Sequence, residues 1–474
     1  TDIMGNPRPG ADGKVCMGAY ESPDEYEPQS PLPVLGPLYV SKSGNDANNG
    51  LTWETALKTV SAALNKVADS DDFYQIWVAE GTYTEGQTLI NPSRVALYGS
   101  FAGTESQLSE RNISEHPTII DGEGARQCVQ NSGVLDGFYI TKGKSAFGGG
   151  IFNTGTVTNC AVYGNSAGEG GGVYNKGTVT NCTICGNSAG DGGGIYNRSS
   201  STVTNCTVYN NSAMRGGGIY NWSSVTNCAV YGNSATKNGG GIYNKFSGTV
   251  TNCTVYKNSA TQNGGGIDNE SNGAVTNCTV YNNIADIGGG IDNSGMVTNC
   301  TIYNNNAENS GGGIDNESNG AVTNCTVCNN IADIGGGIDN SGTVTNCTIY
   351  RNNAKNRCGG IYNSGTVTNC IAWGNNNTDI ENSGGDVKYS CFGGGSSGEG
   401  NIDADPMFVN VSGNNPTLWV LRLKQSSPCI DAGTSEGAPG DDILGVTRPQ
   451  GSGYDMGAYE YVKPTRYYVK PTGN

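Results

Sequence analysis

The chain has 474 residues and carries 26 basic against 42 acidic side chains, a net charge of −16 with an isoelectric point near 4.5. That balance argues against nucleic acid or an anionic membrane as partner, and no run approaches the ~20 apolar residues of a membrane-spanning helix. A single histidine, His116, beside 17 cysteines makes a Cys/His zinc centre or a histidine-activated nucleophile a poor reading. The 75 glycines would suggest low complexity, except that the apolar residues between them recur in strict register. No signal-peptide pattern opens the chain, which fits a mature product or a segment of something longer.

Residues 1–21 carry Asp2-Ile-Met-Gly-Asn-Pro-Arg-Pro and Cys16-Met-Gly-Ala-Tyr-Glu, a pattern that returns 440 and 439 residues later, respectively, as Asp442-Ile-Leu-Gly-Val-Thr-Arg-Pro and Asp455-Met-Gly-Ala-Tyr-Glu. This reads as the closing motif of a preceding unit. Residues 22–37 are Pro-rich and form a stiff, extended linker. Residues 38–147 hold an N-terminal cap and the first coils. Within them, 53–68 places Ala56, Leu57, Val60, Ala63, Leu64 and Val67 on one helical stripe, and 75–83, 94–101 and 118–121 read as strands.

Residues 148–378 are a repeat region. The tripeptide Thr-Asn-Cys ends at Cys160, Cys182, Cys206, Cys228, Cys253, Cys278, Cys300, Cys325, Cys347 and Cys370, at spacings of 22 to 25 residues. Ten such units, too short and too rich in Gly, Asn and Thr for helical repeats, predict a β-solenoid. Val stands three residues before each cysteine, Val, Ile or Ala two after it, and Ile or Val follows the glycines. Each column then meets its own kind in the next coil about 4.8 Å away. Three asparagine columns (Asn153 to Asn363, Asn159 to Asn369, Asn165 to Asn375) mark three corners and hence three strands per coil, because asparagine tolerates left-handed backbone and its amide can bond its own copy. Residues 379–462 hold the last coil and a closing module. Residues 463–474 repeat the opening, Tyr468-Val-Lys-Pro-Thr-Gly-Asn echoing Tyr39-Val-Ser-Lys-Ser-Gly-Asn, and read as the start of a following unit.

The repeat, the entry segment from Tyr39 through Trp53 and the segment Asp403-Ala-Asp-Pro-Met-Phe-Val with Ser427-Pro-Cys-Ile-Asp-Ala-Gly resemble the pectin-lyase-like superfamily, in particular its surface and adhesin-type members with a choice-of-anchor-like C-terminal module. The resemblance implies an all-β, right-handed, three-sided parallel β-helix with a short N-terminal capping helix. It specifies architecture rather than activity.

Two outward columns are the candidate sites. The middle residue of the Ile-X-Asn corner is aromatic in five coils, then Asp268, Asp292, Asp315 and Asp339, then Tyr362. Four stacked carboxylates must share a cation, share protons or splay into water. Calcium is the candidate cofactor and this stripe the candidate metal column; without it no cofactor is implied. Paired acids for glycoside hydrolysis are the other chemistry, but residues 272–292 and 319–339 differ only at Tyr281 and Cys328, and a block copied whole points to a solvated acidic scaffold. The second column holds Tyr163, Tyr209, Tyr231, Tyr256, Tyr281, Tyr303 and Tyr350, with Trp373 at its end, a candidate contact or assembly stripe. Cys16, Cys185, Cys328 and Cys358 lie at tail, outward or corner positions and are candidates for disulfides to another chain. The sequence therefore predicts a secreted, cell-surface structural rod whose identical units join end to end, with a cell-surface glycan or protein as a further partner class. The rival reading is a polysaccharide lyase or glycoside hydrolase acting on acidic glycans.

Overall fold

The computed structural model describes residues 35–68, 70–394 and 397–463. The leading motif with Cys16, most of the linker and the trailing segment 464–474 lie outside the described residues.

The chain is an all-β parallel β-helix. Among the described residues three sheets of 15, 14 and 13 strands run its length, and every pairing inside them is parallel and joins one coil to the next. A typical coil starts on the first face with Ile195–Asn197, crosses the second with Thr202–Thr204 and the third with Thr207–Tyr209. A fourth, 10-stranded sheet of short Ser-Ala strands such as Ser212–Ala213 then leads back to the glycines. The three asparagine corners do not announce this fourth strand, whose regular part is only two to five residues long.

The core is narrow. Val157, Val162 and Ile151 and their counterparts in later coils are wholly buried, and the Thr-Asn-Cys thiols join them as small apolar groups. The one α-helix among the described residues, Val60–Val67, buries Val60, Ala63, Leu64 and Val67 against the first coils. It is shorter than its apolar stripe suggests: Ala56 and Leu57 are buried from an extended segment, Leu57 bridging to Val40. Thr59 caps the helix by accepting from the Ala62 N–H, and Glu85 accepts the Val60 and Ser61 N–H groups. No helix among the described residues is long and apolar enough to cross a membrane.

The asparagine columns divide their labour. On the first face each buried amide donates to the next, Asn153 to Asn175 at 2.8 Å and Asn175 to Asn197 at 2.8 Å, and the ladder extends beyond the repeats from Asn91 to Asn382. Asn165 to Asn375 form a second ladder in which each side-chain oxygen takes both the amide and the backbone N–H of its neighbour, as Asn258 takes from Asn233 at 3.0 Å. The third column, Asn159 to Asn369, lies at φ of 48–55°, and supplies left-handed corners with no ladder of its own between Asn181 and Asn299. The glycine triplets are explained by crowding: the first glycine has φ near 60°, and a Cβ on Gly172 would lie 2.7 Å from the Gly194 carbonyl oxygen of the next coil.

The closing module does not lie across the end of the solenoid. It folds back along the third face of the last coils, where Phe408, Leu421, Leu423 and Met456 bury Cys328, Tyr350 and Ile371. The left-handed corner asparagines receive it: Asn324 donates to the Asp441 carbonyl at 2.7 Å, Asn346 to that of Asp455 at 3.1 Å and Asn369 to that of Thr434 at 2.8 Å. Inside the module Arg448 and Glu460 form a fully buried ion pair at 2.9 Å, while Asp442 accepts the Leu444, Val446 and Glu460 N–H groups. The motif Asp442…Arg448…Glu460 is thus a docking and folding device.

The two kinds of asparagine should respond differently to substitution. Asn269→Ala leaves one Asn244 amide hydrogen without its partner in the core, while the Asn293 oxygen keeps the Gly295 N–H, and should cost about 1–3 kcal/mol in denaturant unfolding, the penalty for one buried group left unpaired. Asn252→Gly, at an exposed left-handed corner, should cost only a few tenths, roughly the asparagine–glycine difference in such turns.

Candidate functional site

The Ile-X-Asn stripe runs up the outside of the first face. Its lower half is a stack of aromatic rings: Phe152 on Tyr174 at 5.2 Å, Tyr174 on Tyr196 at 5.3 Å and Tyr196 on Tyr220 at 4.7 Å. Arg215 lies over Tyr220 and Tyr243 and is held by two hydrogen bonds to Asp191 at 2.9 and 2.7 Å. At Tyr243 the stripe turns acidic, in register with Asp268, Asp292, Asp315 and Asp339.

The column points away from the core, as the alternation predicts, but it is not in water. Asp268 is 2% exposed and Asp292 5%. The loops that vary in length on either side of the first face rise as walls: Asn238 and Asn263 on one side, Glu270, Ser271, Asn272, Glu317 and Asn319 on the other, enclosing a polar groove of about 500 Å³. This corrects the expectation of a solvated acidic face. Loop length was readable from the repeat; the direction in which the loops fold was not.

Three of the four carboxylates meet a neutral donor. Asn238 donates to Asp268 at 2.7 Å, Asn263 to Asp292 at 2.7 Å and the Ser310 hydroxyl to Asp315 at 2.6 Å. Burial first, and then the charge of the neighbouring acids, pushes Asp292 up to about 8 and Asp339 up to about 7. Asp268 and Asp315 are raised for the same leading reason. Neutral donors and a protonated carboxyl can satisfy one another without a cation. Among the described residues no three acidic, histidine or cysteine side chains converge as a metal-ligand set, since the four carboxylates run one rung apart along the stripe. A calcium ion there would have to draw its other oxygens from the Asn and Ser side chains of the walls. Sequence reasoning missed two neighbours: Glu381, which continues the column beyond Tyr362 and pairs with Arg357 at 2.7 Å, and Glu270, which pairs with Lys245 at 3.1 Å.

The tyrosine column of the third face stacks on itself. Tyr209, Tyr231, Tyr256, Tyr281 and Tyr303 follow at 5.1, 4.8, 5.0 and 4.9 Å with nearly parallel planes. Their ring faces are therefore occupied by each other, and only the ring edges and hydroxyls meet solvent. Tyr163 stands apart from the stack because Cys185 follows it. Tyr350 and Trp373 are not free for a partner, since both pack against the chain's own closing module, Tyr350 edge-on to Phe408 and Trp419.

The cysteine candidates are corrected likewise. Cys328 and Cys358 are buried, the first beneath the closing module and the second at the glycine-triplet corner with its thiol on the Ile361 and Thr378 carbonyls. Buried thiols cannot reach another chain. Cys185 is partly exposed, alone among the described cysteines, and Cys16 lies outside the described residues.

No family model matches the chain, and no curated protein does. Solved structures overlay weakly. Pectate lyase Pel9A is 16% identical over 90% of this chain and 97% of its own, with a TM-score of 0.32. The PL6 family alginate lyase AlyGC is 12% identical over 79% and 54%, with a TM-score of 0.37. The A-module of Azotobacter vinelandii mannuronan C-5 epimerase AlgE6 is 13% identical over 70% and 88%, with a TM-score of 0.31. Overlaps this slight carry no argument about the chemistry of this chain.

The raised carboxyls make stability depend on pH. An aspartate with a folded pKa above its unfolded value of about 3.9 binds its proton more tightly when folded. That contribution is complete below the unfolded value and is lost as pH rises to about 8 for Asp292. The unfolding midpoint should therefore fall between pH 5 and pH 8, and replacing the four aspartates by asparagine should flatten the fall. If calcium occupies the stripe, a chelator at pH 7.5 should lower the midpoint by several degrees in the parent chain and not in the Asn variant.

Proposed function

We propose that this chain is a non-enzymatic, extracellular structural protein, a stiff β-helical rod of a surface layer, sheath or filament. Its units join end to end, with adhesion to a cell-surface glycan or protein as a secondary role. The observation that carries this reading is the repetition of the acidic stripe from coil to coil. Hydrolysis or elimination needs two groups whose environments push them into different states, one acid and one base. Here four carboxyls recur one per coil, and all are pushed in the same direction, toward the neutral form, by burial.

The lengthwise ladders support a mechanical role. The core, two amide columns and two aromatic stacks all bond along the rod axis, each coil only to its neighbours. The extracellular setting rests on the resemblance of the repeat and closing module to surface proteins. Joining of units rests on the second closing motif at residues 1–21: its Asp2, Arg8 and Glu21 stand where Asp442, Arg448 and Glu460 build the docking device of the C-terminal module.

One observation favours the rival, a polysaccharide lyase or glycoside hydrolase. A carboxyl that keeps its proton near neutral pH inside a groove is what a general acid requires, and Asp292 meets that condition. Against it, a groove walled by Glu270 and Glu317 on a chain of net charge −16 repels an acidic glycan.

A panel of acidic and neutral polysaccharides should give no cleavage. Reproducible cleavage abolished by Asp292→Ala or Asp315→Ala overturns the structural reading. Negative-stain electron microscopy of the purified chain should show rods joined in lines, and deleting residues 1–21 should shorten the lines while circular dichroism stays unchanged. Equal assembly by the truncated chain refutes the role of that segment.

A further inference from the structure

The thiols of the Thr-Asn-Cys columns face the core and donate to the carbonyl two residues earlier, as Cys206 does to Thr204 at 3.3 Å. Cys391 and Cys429 belong to neither that motif nor that core. Cys391 lies on the strand Cys391–Phe392, in register with Ile371 one coil before, on the outer side of the third face. Over Ile371 lies Gly457 of the closing module, so close that an added Cβ would sit 2.8 Å from the Ile371 Cδ1. The preceding residue, Met456, donates its N–H to the Cys429 carbonyl at 3.0 Å. Cys391 is therefore one rung on from Ile371, and Cys429 is one backbone hydrogen bond from the residue beside Gly457. Both cysteines are wholly buried in one apolar cluster with Met456 and Leu421. In keeping with this, the adjacent Cys391 thiol and burial together raise the Cys429 thiol far above its ordinary value.

We propose that Cys391 and Cys429 form a disulfide that staples the closing module to the last coil; its presence in the native product rests on the extracellular reading above. The bond forms by exchange with a small disulfide such as oxidised glutathione. One cysteine thiolate attacks it, giving a mixed disulfide and releasing one reduced thiol. The second thiolate then displaces the other half. Two protein thiols lose two protons and two electrons, and one small disulfide becomes two thiols. The closed loop contains the antiparallel strands Phe408–Asn410 and Val420–Leu423, so the bond would hold that hairpin against the rod.

The full chain is refolded in a glutathione redox buffer and, in parallel, with dithiothreitol. Each sample is alkylated under denaturing conditions, digested without reduction and mapped by mass. The oxidised sample should give a linked pair of peptides carrying Cys391 and Cys429, two hydrogens lighter than the separate peptides, with the Thr-Asn-Cys cysteines alkylated. Its unfolding midpoint should exceed that of the dithiothreitol sample by several degrees. A Cys391→Ser/Cys429→Ser variant with unchanged circular dichroism should lose that difference. Recovery of both cysteines as alkylated thiols from folded, oxidised protein, or of either joined to a different cysteine, overturns the proposal. Because oxidation is imposed in the tube, such a failure leaves the extracellular reading untouched. A pair that closes in the tube but is reduced in protein taken from its source would overturn the extracellular reading instead.

Discussion

A primary amide has two donors and an acceptor, and burying it is costly unless each finds a partner. In this molecule the partner is the same residue one coil away. The Asn91 to Asn382 ladder meets that demand along the first face from its second rung onward, and the Asn165 column meets it again at the corner after the third face while also capturing a backbone N–H. A coil displaced by one residue would strand amides on both sides of the slip, at roughly 1–3 kcal/mol for each buried group. Register follows from this constraint, and register places every other column: valine on valine, thiol on thiol, tyrosine on tyrosine, aspartate on aspartate.

The acidic stripe is a by-product of that stacking. Stacking is favourable for amides and aromatic rings and unfavourable for carboxylates, so the four aspartates persist only with their charge suppressed. The walls accomplish this by excluding water, against the pull of their own Asn and Ser donors toward the charged form. The change from Tyr243 to Asp268 also changes the flanking loops, Glu270 accepting from the Tyr243 hydroxyl at the boundary. Aromatic and acidic halves of one face thus share a backbone and differ in the chemistry of their rims.

Columns were legible in the sequence because period is a one-dimensional property. The inward valines, the amide corners and the helix stripe follow from spacing alone. What spacing does not reveal is cover. Asp268, Tyr350, Cys328 and Cys358 all occupy outward or corner positions and all are buried, by loops or by the closing module, and the direction a loop folds is set by contacts between residues distant in sequence. The fourth strand escaped for a different reason: two residues of Ser-Ala are too short to show alternation.

The closing module holds the flank of the last coils and leaves the coils below it unconstrained. Residues 272–292 and 319–339 are near-copies. Excising residues 272–318 from the gene would therefore rejoin each ladder to its own kind and retain the cap, the module and its corner asparagines, with Tyr256 taking the place of Tyr303 before Cys328. Rod length is then a heritable variable separate from fold, open to slippage between copied blocks. A lineage carrying such a gene can change its reach by whole coils in a single recombination event.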